Sequence, residues 1–269
     1  MRTGEKAVAG IFRRDLTVYG TNVEMKLAPG RTIEGDVLDG VSKSPVTGAK
    51  VTGMPTGQLE YPGYDRFYSA TDERGHYRID GLPITSKARL VVDVPSESPY
   101  FRRSTNLEIK PGPGPLRVEF PLAKGVWITG RVVDDATGEG LPNESIEYHT
   151  FIDNPYLQKD LEAGLSPQVG RDVFKPYTVA GGTFRIRGYP GRGIVSAGSR
   201  QDYLEGIGAD SIKGLMQDEY TTSLYENTDD FNPYPPLNPH LHNTTIELNI
   251  PINANSFECE VRLKKKGVQ

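Results

Sequence analysis

The chain of 269 residues carries 31 basic and 35 acidic side chains, which give it a formal net charge of -4. No basic stretch is interleaved with aromatic residues, so the sequence argues against nucleic acid as a partner. The single cysteine cannot form an internal disulfide. No apolar run is long enough to span a bilayer, so we expect no membrane insertion within this chain.

Short strands joined by turns are predicted along the chain. The 30 glycines and 21 prolines interrupt the sequence at close intervals and leave little room for long helices. Residues 71–75 have the composition of a tight turn, and residues 110–115 are too rich in proline for a strand interior. Apolar residues alternate with polar ones, the period of a half-buried strand, in the runs 23–27, 33–37, 77–79 and 90–94.

One motif occurs twice in the chain. Residues 75–83 read Gly-His-Tyr-Arg-Ile-Asp-Gly-Leu-Pro, and residues 182–190 read Gly-Thr-Phe-Arg-Ile-Arg-Gly-Tyr-Pro. A second segment, residues 33–39, returns in similar form at residues 128–134. Two matches in the same order indicate an internal duplication, so we expect two tandem modules.

The duplication sets the expected domain limits. Residues 1–22 are interpreted as the tail of a preceding unit, residues 23–116 as the first module and residues 117–269 as the second. The second module carries two insertions that the first lacks, near residues 150–175 and 201–243. Loops of this length are commonly functional.

The end of the chain carries a third version of the pattern. Alternating apolar residues at 246–250 and 257–261 match those at 118–122 and 128–132. We therefore interpret the polypeptide as a slice of a longer tandem array, or as an array whose terminal strand completes the last sheet. In this alignment Cys259 takes the place of a glycine, where a small buried residue is expected rather than a reactive thiol.

The motifs of the first module resemble a known family. Residues 35–39, 45–51, 71–79 and 81–83 are similar to the carboxypeptidase regulatory-like domain. This resemblance implies an all-β fold of two tandem transthyretin-like (Ig-like) β-sandwiches. It also implies a non-catalytic accessory segment without a cofactor. The parent would be a larger bacterial protein that is exported or associated with the cell envelope.

His240 and His242 are the candidate metal ligands. Their alternate spacing places both imidazoles on one face of an extended segment, as a metal site needs. Intradiol-type dioxygenases share the sandwich fold and hold ferric iron with two tyrosines and a His-x-His pair, so such an enzyme is one alternative function. A solvated, proline-rich loop is the competing interpretation. The tyrosines that could complete the set are Tyr148, Tyr177, Tyr189 and Tyr203.

Other catalytic chemistry has no support in the sequence. His76 and His149 stand alone on predicted strands, and we expect both at the surface or at a sheet edge. No Gly-x-Ser-x-Gly motif is present, so there is no sign of a serine nucleophile. The chain is therefore not predicted to be an enzyme.

Aromatic residues in the loops are the best indication of binding. Flat rings stack on sugar faces and on prolines, and loops at the ends of sandwiches commonly carry recognition. The expected partners are a carbohydrate or another protein, besides the other domains of a longer parent chain. The alternative is that these rings hold the loops onto their own sheets and that the modules are a passive spacer. The candidate binding residues are Tyr64, Tyr68, Tyr225, Phe231 and Tyr234.

Overall fold

The computed structural model of the chain describes residues 30–55, 67–163, 166–167, 177–198, 200–215 and 242–267. Contacts divide the chain into two compact units. Unit 1 consists of Met1–Pro95 and Arg102–Ala123, and unit 2 consists of Ser96–Phe101 and Lys124–Gln269. Strands dominate the described residues of both units, which confirms the predicted all-β class. No helix found there has the length and apolar character needed to cross a membrane.

Unit 1 is a β-sandwich. Its strands are β1 (Gly30–Asp39), β2 (Lys50–Pro55), β3 (Tyr68–Ala70), β4 (His76–Pro83), β5 (Thr85–Asp93), β6 (Arg103–Ile109), β7 (Leu116–Arg117) and β8 (Phe120–Leu122). In one sheet, β1 pairs antiparallel with β4 and parallel with β7 and β8. In the other sheet the strand order is β6-β5-β2-β3. Both sheets contribute to the buried apolar core, which includes Ile33, Val37, Ile79, Leu90 and Phe120.

Unit 2 has the same plan. Its elements are β9 (Val126–Asp134), β10 (Ile146–Thr150), α1 (Pro155–Glu162), β11 (Ser166–Pro167), β12 (Thr183–Gly188), β13 (Gly191–Ala197), β14 (Thr244–Ile250) and β15 (Ser256–Leu263). The order of one sheet is β12-β9-β15 and that of the other is β10-β13-β14. Two short 3-10 turns occur at Ala180–Gly182 and Ala209–Ser211. The core includes Ile128, Tyr148, Ile186, Val195 and Val261.

The motif that the sequence repeats takes the same position in both units. Gly35 of β1 lies opposite Tyr77 of β4, and Gly130 of β9 lies opposite Phe184 of β12. In each unit the repeated segment is therefore the antiparallel neighbour of the first strand, with an aromatic ring facing a glycine.

Glycine is required at these two positions because the first and last strands approach closely. A Cβ atom at Gly35 would lie 1.8 Å from the carbonyl oxygen of Val118, and one at Gly130 would lie 2.0 Å from that of Cys259. Real Cβ contacts do not become this short, and a backbone atom cannot swing aside as a flexible side chain can. The glycine thus allows the final strand to add in parallel beside the first.

The structure supports the second interpretation of the third repeat, in which residues 257–261 complete the last sheet, but it corrects the alignment of the strands. Residues 246–250 lie in β14 beside β13, and Cys259 lies opposite Gly130 rather than taking a glycine's place. Residues 118–122, which the repeat assigned to the second module, lie in unit 1, where Phe120 pairs with Val37. Apolar alternation is common to every half-buried strand, so it cannot distinguish a first strand from a last one.

Replacing Gly130 by alanine is expected to lower the free energy of unfolding of unit 2 by about 3 kcal/mol, because β9 and β15 must separate to admit the new methyl group. The matched control is Gly267→Ala, since no atom lies within 4 Å of a Cβ at that position. Urea unfolding followed by circular dichroism measures both variants. Equal midpoints for the two would contradict the close strand approach.

Candidate functional site

Most of the predicted site residues fall outside the described part of the chain. These are Tyr64, Tyr225, Phe231, Tyr234 and His240. Tyr68 is described and lies on β3 with 56% of its surface exposed. The Lys50 ammonium lies 4.6 Å from the centroid of its ring, so this tyrosine has a cation as a neighbour.

The structure brings the predicted ligand His242 together with Glu147 and His149, which we call the Glu-His cluster. All three residues are completely buried. The expectation of a surface or edge position for His149 is therefore wrong, and a solvated position for His242 is also excluded. Glu147 and His149 are two positions apart on β10 and so share one face of the sheet. That spacing was the only sequence signal for the cluster, and Glu147 was missed.

The geometry of the Glu-His cluster is set by one carboxylate oxygen. Glu147 Oε2 lies 3.6 Å from His149 Nε2 and 3.5 Å from His242 Nε2. The other ring nitrogen of His242, Nδ1, lies 3.1 Å from the carbonyl oxygen of Gly198, to which it donates a hydrogen bond. That bond orients the ring so that Nε2 faces the carboxylate.

The Glu-His cluster is buried because residues 200–215, the covering segment, lie over this face of the sheet. Ile194 of β13 pairs directly with His149 and therefore lies on the same face. It packs in a small apolar cluster together with Phe151, Ala209, Ile212 and Leu215. The face of β10 and β13 that points away from the main core thus has a second, smaller core of its own.

Asn243 and Tyr203 anchor the start of the covering segment. Asn243 Nδ2 donates to the carbonyl oxygens of Arg200 and Leu204, at 3.0 and 3.1 Å. The Tyr203 hydroxyl donates to Asp134 Oδ2 at 2.8 Å. Burial and this carboxylate raise the pKa of Tyr203 to about 12, while the Tyr203 hydrogen bond and Lys265 lower the pKa of Asp134. Asp134 is therefore ionised and Tyr203 is protonated at neutral pH, which preserves the hydrogen bond between them.

The pKa values of the Glu-His cluster reflect competition between burial and charge. Burial raises the pKa of Glu147, but contacts with His149 and His242 and their charges lower it more, from 4.5 to about 2. Burial lowers the pKa of His149 below its usual 6.5, against the opposing effect of Glu147. At neutral pH the carboxylate is ionised and the His149 imidazole is neutral.

The dioxygenase-type centre that the sequence leaves as an alternative includes His240, which lies outside the described residues. Across the residues that the structure describes, no three His, Cys, Asp or Glu side chains are arranged to hold a metal ion. Two of the tyrosines considered as ligands are used elsewhere. Tyr203 bonds Asp134, and the Tyr189 hydroxyl bonds Asp160 at 2.5 Å.

A groove beside β12 is the second candidate site, which we call the Trp127 groove. It has a volume of about 210 Å³. Tyr177 and Val179 contribute exposed apolar surface, with 50% and 54% of their areas accessible. Exposed apolar residues that adjoin a groove are typical of interaction sites. Its walls include Glu97, Trp127, Tyr177, Val179, Phe184 and Arg185.

Arg185 shapes the Trp127 groove through two contacts. Its guanidinium lies 3.7 Å from the centroid of the Trp127 ring, and it forms an ion pair with Glu97 at 2.8 Å. The neighbouring Arg187 holds residues 96–98 beside β12, because it donates to the carbonyl oxygens of Ser96 and Ser98 at 2.7 Å each. The sequence offered no signal for this groove beyond its single tryptophan.

Comparisons with known proteins give only distant matches. No protein-family model matches the chain, and no curated protein matches it. Among solved structures, the Bacillus anthracis TIE protein is 14% identical, with a TM-score of 0.28 over 88% of this chain and 34% of that one. A streptococcal ancillary pilin is 9% identical, with a TM-score of 0.34 over 88% and 62% of the two chains. The shaft pilin spaA from Lactobacillus rhamnosus GG is 11% identical, with a TM-score of 0.31 over 89% and 99%.

The chain thus spans about a third of the TIE protein and 62% of the ancillary pilin. These TM-scores are too low to transfer a fold or a function. The β-sandwich of each unit is established by its own sheets and core.

Acidification is expected to destabilise unit 2 through His149. Its pKa is lower in the folded chain than the 6.5 of an unfolded one, so the folded state binds fewer protons. The stability from this group is complete above about pH 6.5 and is lost as the pH falls. Below pH 4.5, protonation of Glu147 lowers the stability further, until the pH reaches the folded pKa of about 2.

Urea unfolding at several pH values between about 7.5 and 5.5 measures this loss, which amounts to at most about 1.4 kcal/mol per pH unit for one group. We expect His149→Gln to flatten the slope. The control variant is Thr150→Val, which changes a buried residue of the same strand without removing a titratable group, so its slope should match the wild type. A slope that persists in His149→Gln would disprove the assignment.

Cys259 is expected to react slowly as long as the protein is folded. Its side chain packs against the core of unit 2, and burial raises the pKa of the thiol to about 12. Because the thiolate is the reactive form and the pKa rise makes it scarce, labelling by Ellman's reagent near pH 8 should be roughly a hundredfold slower than for an unperturbed thiol. Labelling in concentrated guanidinium chloride is the control, and equal rates in both states would refute this.

Proposed function

We propose that this chain is a non-catalytic, structural β-sandwich segment of a larger bacterial protein, of the carboxypeptidase regulatory-like kind. The observation that carries this proposal is the repetition of the same turn-shaping contacts in both units. Polar side chains that could serve chemistry are committed to backbone hydrogen bonds at equivalent places. An exported or cell-envelope parent protein is part of the same proposal.

A buried aspartate ends the first strand of each unit. Asp39 Oδ1 accepts the backbone N–H groups of Val41 and Ser42 at 2.8 and 2.7 Å. Asp134 Oδ1 likewise accepts the N–H groups of residues 136 and 137, both at 3.0 Å. A carboxylate that bonds its own turn in this way orders the loop, and its occurrence in both units favours a role in folding.

A buried threonine makes the second repeated set of contacts. The Thr71 hydroxyl donates to Val46 O at 2.6 Å and accepts from Ala49 N at 2.9 Å. In unit 2, the Thr178 hydroxyl donates to Leu141 O at 2.7 Å and accepts from the N–H of residue 144 at 2.9 Å. These hydroxyls satisfy buried backbone groups where a loop crosses between strands, which is again a structural task.

We further propose that unit 2 binds a ligand, either a carbohydrate or another protein. The Trp127 groove supports this role, because it joins exposed apolar side chains to an arginine and a carboxylate. Such a set offers both stacking and hydrogen bonding to a partner. A passive spacer would not need the groove.

Metal analysis tests the non-catalytic part of the proposal. We expect the full chain to contain far less than stoichiometric iron or zinc, and to keep its thermal midpoint after treatment with EDTA. The variant His242→Gln should show the same metal content as the wild type. One iron or zinc per chain that is lost in His242→Gln would overturn the proposal in favour of a metalloenzyme.

A further inference from the structure

Strand β12 lies at the edge of its sheet. Among the described strands, it is the terminal strand of the order β12-β9-β15 and pairs with β9 on one side only. The carbonyl oxygen of Thr183 accepts a hydrogen bond from Val179 N at 2.8 Å, which shows that the backbone of Thr183 points away from β9. Backbone groups alternate in direction along an antiparallel strand, so the N–H and C=O of Arg185 point to the same open edge. Apart from the pairing of β12 with β9, no described residue forms a hydrogen bond with these two backbone groups of Arg185.

Unit 1 shows how the equivalent edge is covered. Arg78 of β4 corresponds to Arg185, because each lies three positions after the glycine of the repeated motif. The backbone N–H of Arg78 donates to the hydroxyl of Ser69 at 3.3 Å, and Ser69 belongs to the extended strand β3. Among the described residues of unit 2, no side chain bonds the equivalent N–H of Arg185.

The Trp127 groove adjoins the open edge at Arg185. Its volume of about 210 Å³ is below the range of about 300–1,000 Å³ that holds a whole drug-sized ligand, so it suits a single side chain. Val179, Tyr177 and Phe184 give it an apolar wall. An extended peptide that paired with β12 would direct alternate side chains towards the groove.

We propose that unit 2 binds an extended segment of a partner protein, which adds as a strand to the edge of β12 at Arg185 and places one apolar side chain in the Trp127 groove. This inference rests on the binding role proposed above and names its partner class. Main-chain hydrogen bonds to the edge supply affinity in this mode, and the groove supplies specificity.

A peptide fits the site better than a sugar does. The Arg185 guanidinium lies over the ring of Trp127 and occupies the face on which a sugar would stack. Val179 offers neither a stacking plane nor a hydrogen-bonding group, yet it is half exposed on the wall. An extended peptide presents backbone N–H and C=O groups along its edge and side chains to its faces. The outward N–H and C=O of Arg185 can bond the backbone groups, and the apolar groove can hold one of the side chains.

The test begins with a phage-displayed library of random peptides of about 12 residues, long enough for one strand, selected on the immobilised full chain. A selected sequence is synthesised and titrated against the chain, with tryptophan fluorescence as the readout. Trp127 is the only tryptophan, so a change in its emission reports on the groove. Cellohexaose, chitohexaose and maltohexaose are titrated in parallel.

Two substitutions at one position separate the backbone from the side chain. Arg185→Pro removes the outward N–H and the guanidinium, while Arg185→Ala removes only the guanidinium. Proline is tolerated on an edge strand where the N–H faces outward, and the thermal midpoint verifies folding. Both variants lose the guanidinium that shapes the groove, so we expect both to bind the peptide more weakly than the wild type, and Arg185→Pro to bind it roughly tenfold more weakly than Arg185→Ala.

A second measurement keeps the test valid if Arg185→Pro does not fold. The selected peptide is resynthesised with N-methyl groups at alternate residues, in each of the two possible registers, and one register should lose binding while the other keeps it.

Equal binding by Arg185→Ala and Arg185→Pro, equal binding by both methylated peptides, a selection without binders, or a peptide that leaves Trp127 fluorescence unchanged would each overturn the inference. Binding of a hexasaccharide at the groove would also overturn it, while the broader binding role would stand. A stoichiometric metal, in contrast, would refute the structural role independently of these results.

Discussion

Close approach of two backbones is the constraint on which each unit depends. The last strand lies beside the first only because Gly35 and Gly130 leave space for the carbonyl oxygens of Val118 and Cys259. This contact completes one sheet of the sandwich, and the aromatic rings of Tyr77 and Phe184 fill the space that a side chain would otherwise take. One glycine in each unit thus determines how three strands pack together: the first strand, its antiparallel neighbour and the last strand.

Unit 2 adds a second layer to this plan. The covering segment has no counterpart among the described residues of unit 1, and it lies over a sheet face that contains Glu147, His149 and His242. Removing charges from water is costly unless they balance one another. Here Glu147 Oε2 lies within 3.6 Å of two imidazole nitrogens, and the apolar contacts of Ile194 and Leu215 with their neighbours offset part of the cost of its burial.

The sequence was sufficient for the fold class and the position of the repeated motif, because these depend on local period and turn chemistry. It was insufficient where long-range contacts decide. His149 has the pattern of a half-exposed strand residue, yet it is buried on the face that is covered by a segment more than fifty positions later in the chain. The Trp127 groove likewise forms where Glu97 meets β12, and no local pattern relates the two. Cys259 was misplaced because first and last strands share one apolar alternation.

The parallel pairing of β9 with β15 also has a mechanical consequence. Eight consecutive residues of each strand are in register, from Trp127 opposite Ser256 to Asp134 opposite Leu263. Tension applied at the start of β9 and the end of β15 would slide the strands along each other, so all the bonds between them share the load at once instead of opening one by one. A unit built in this way resists stretching in shear, whatever it is joined to.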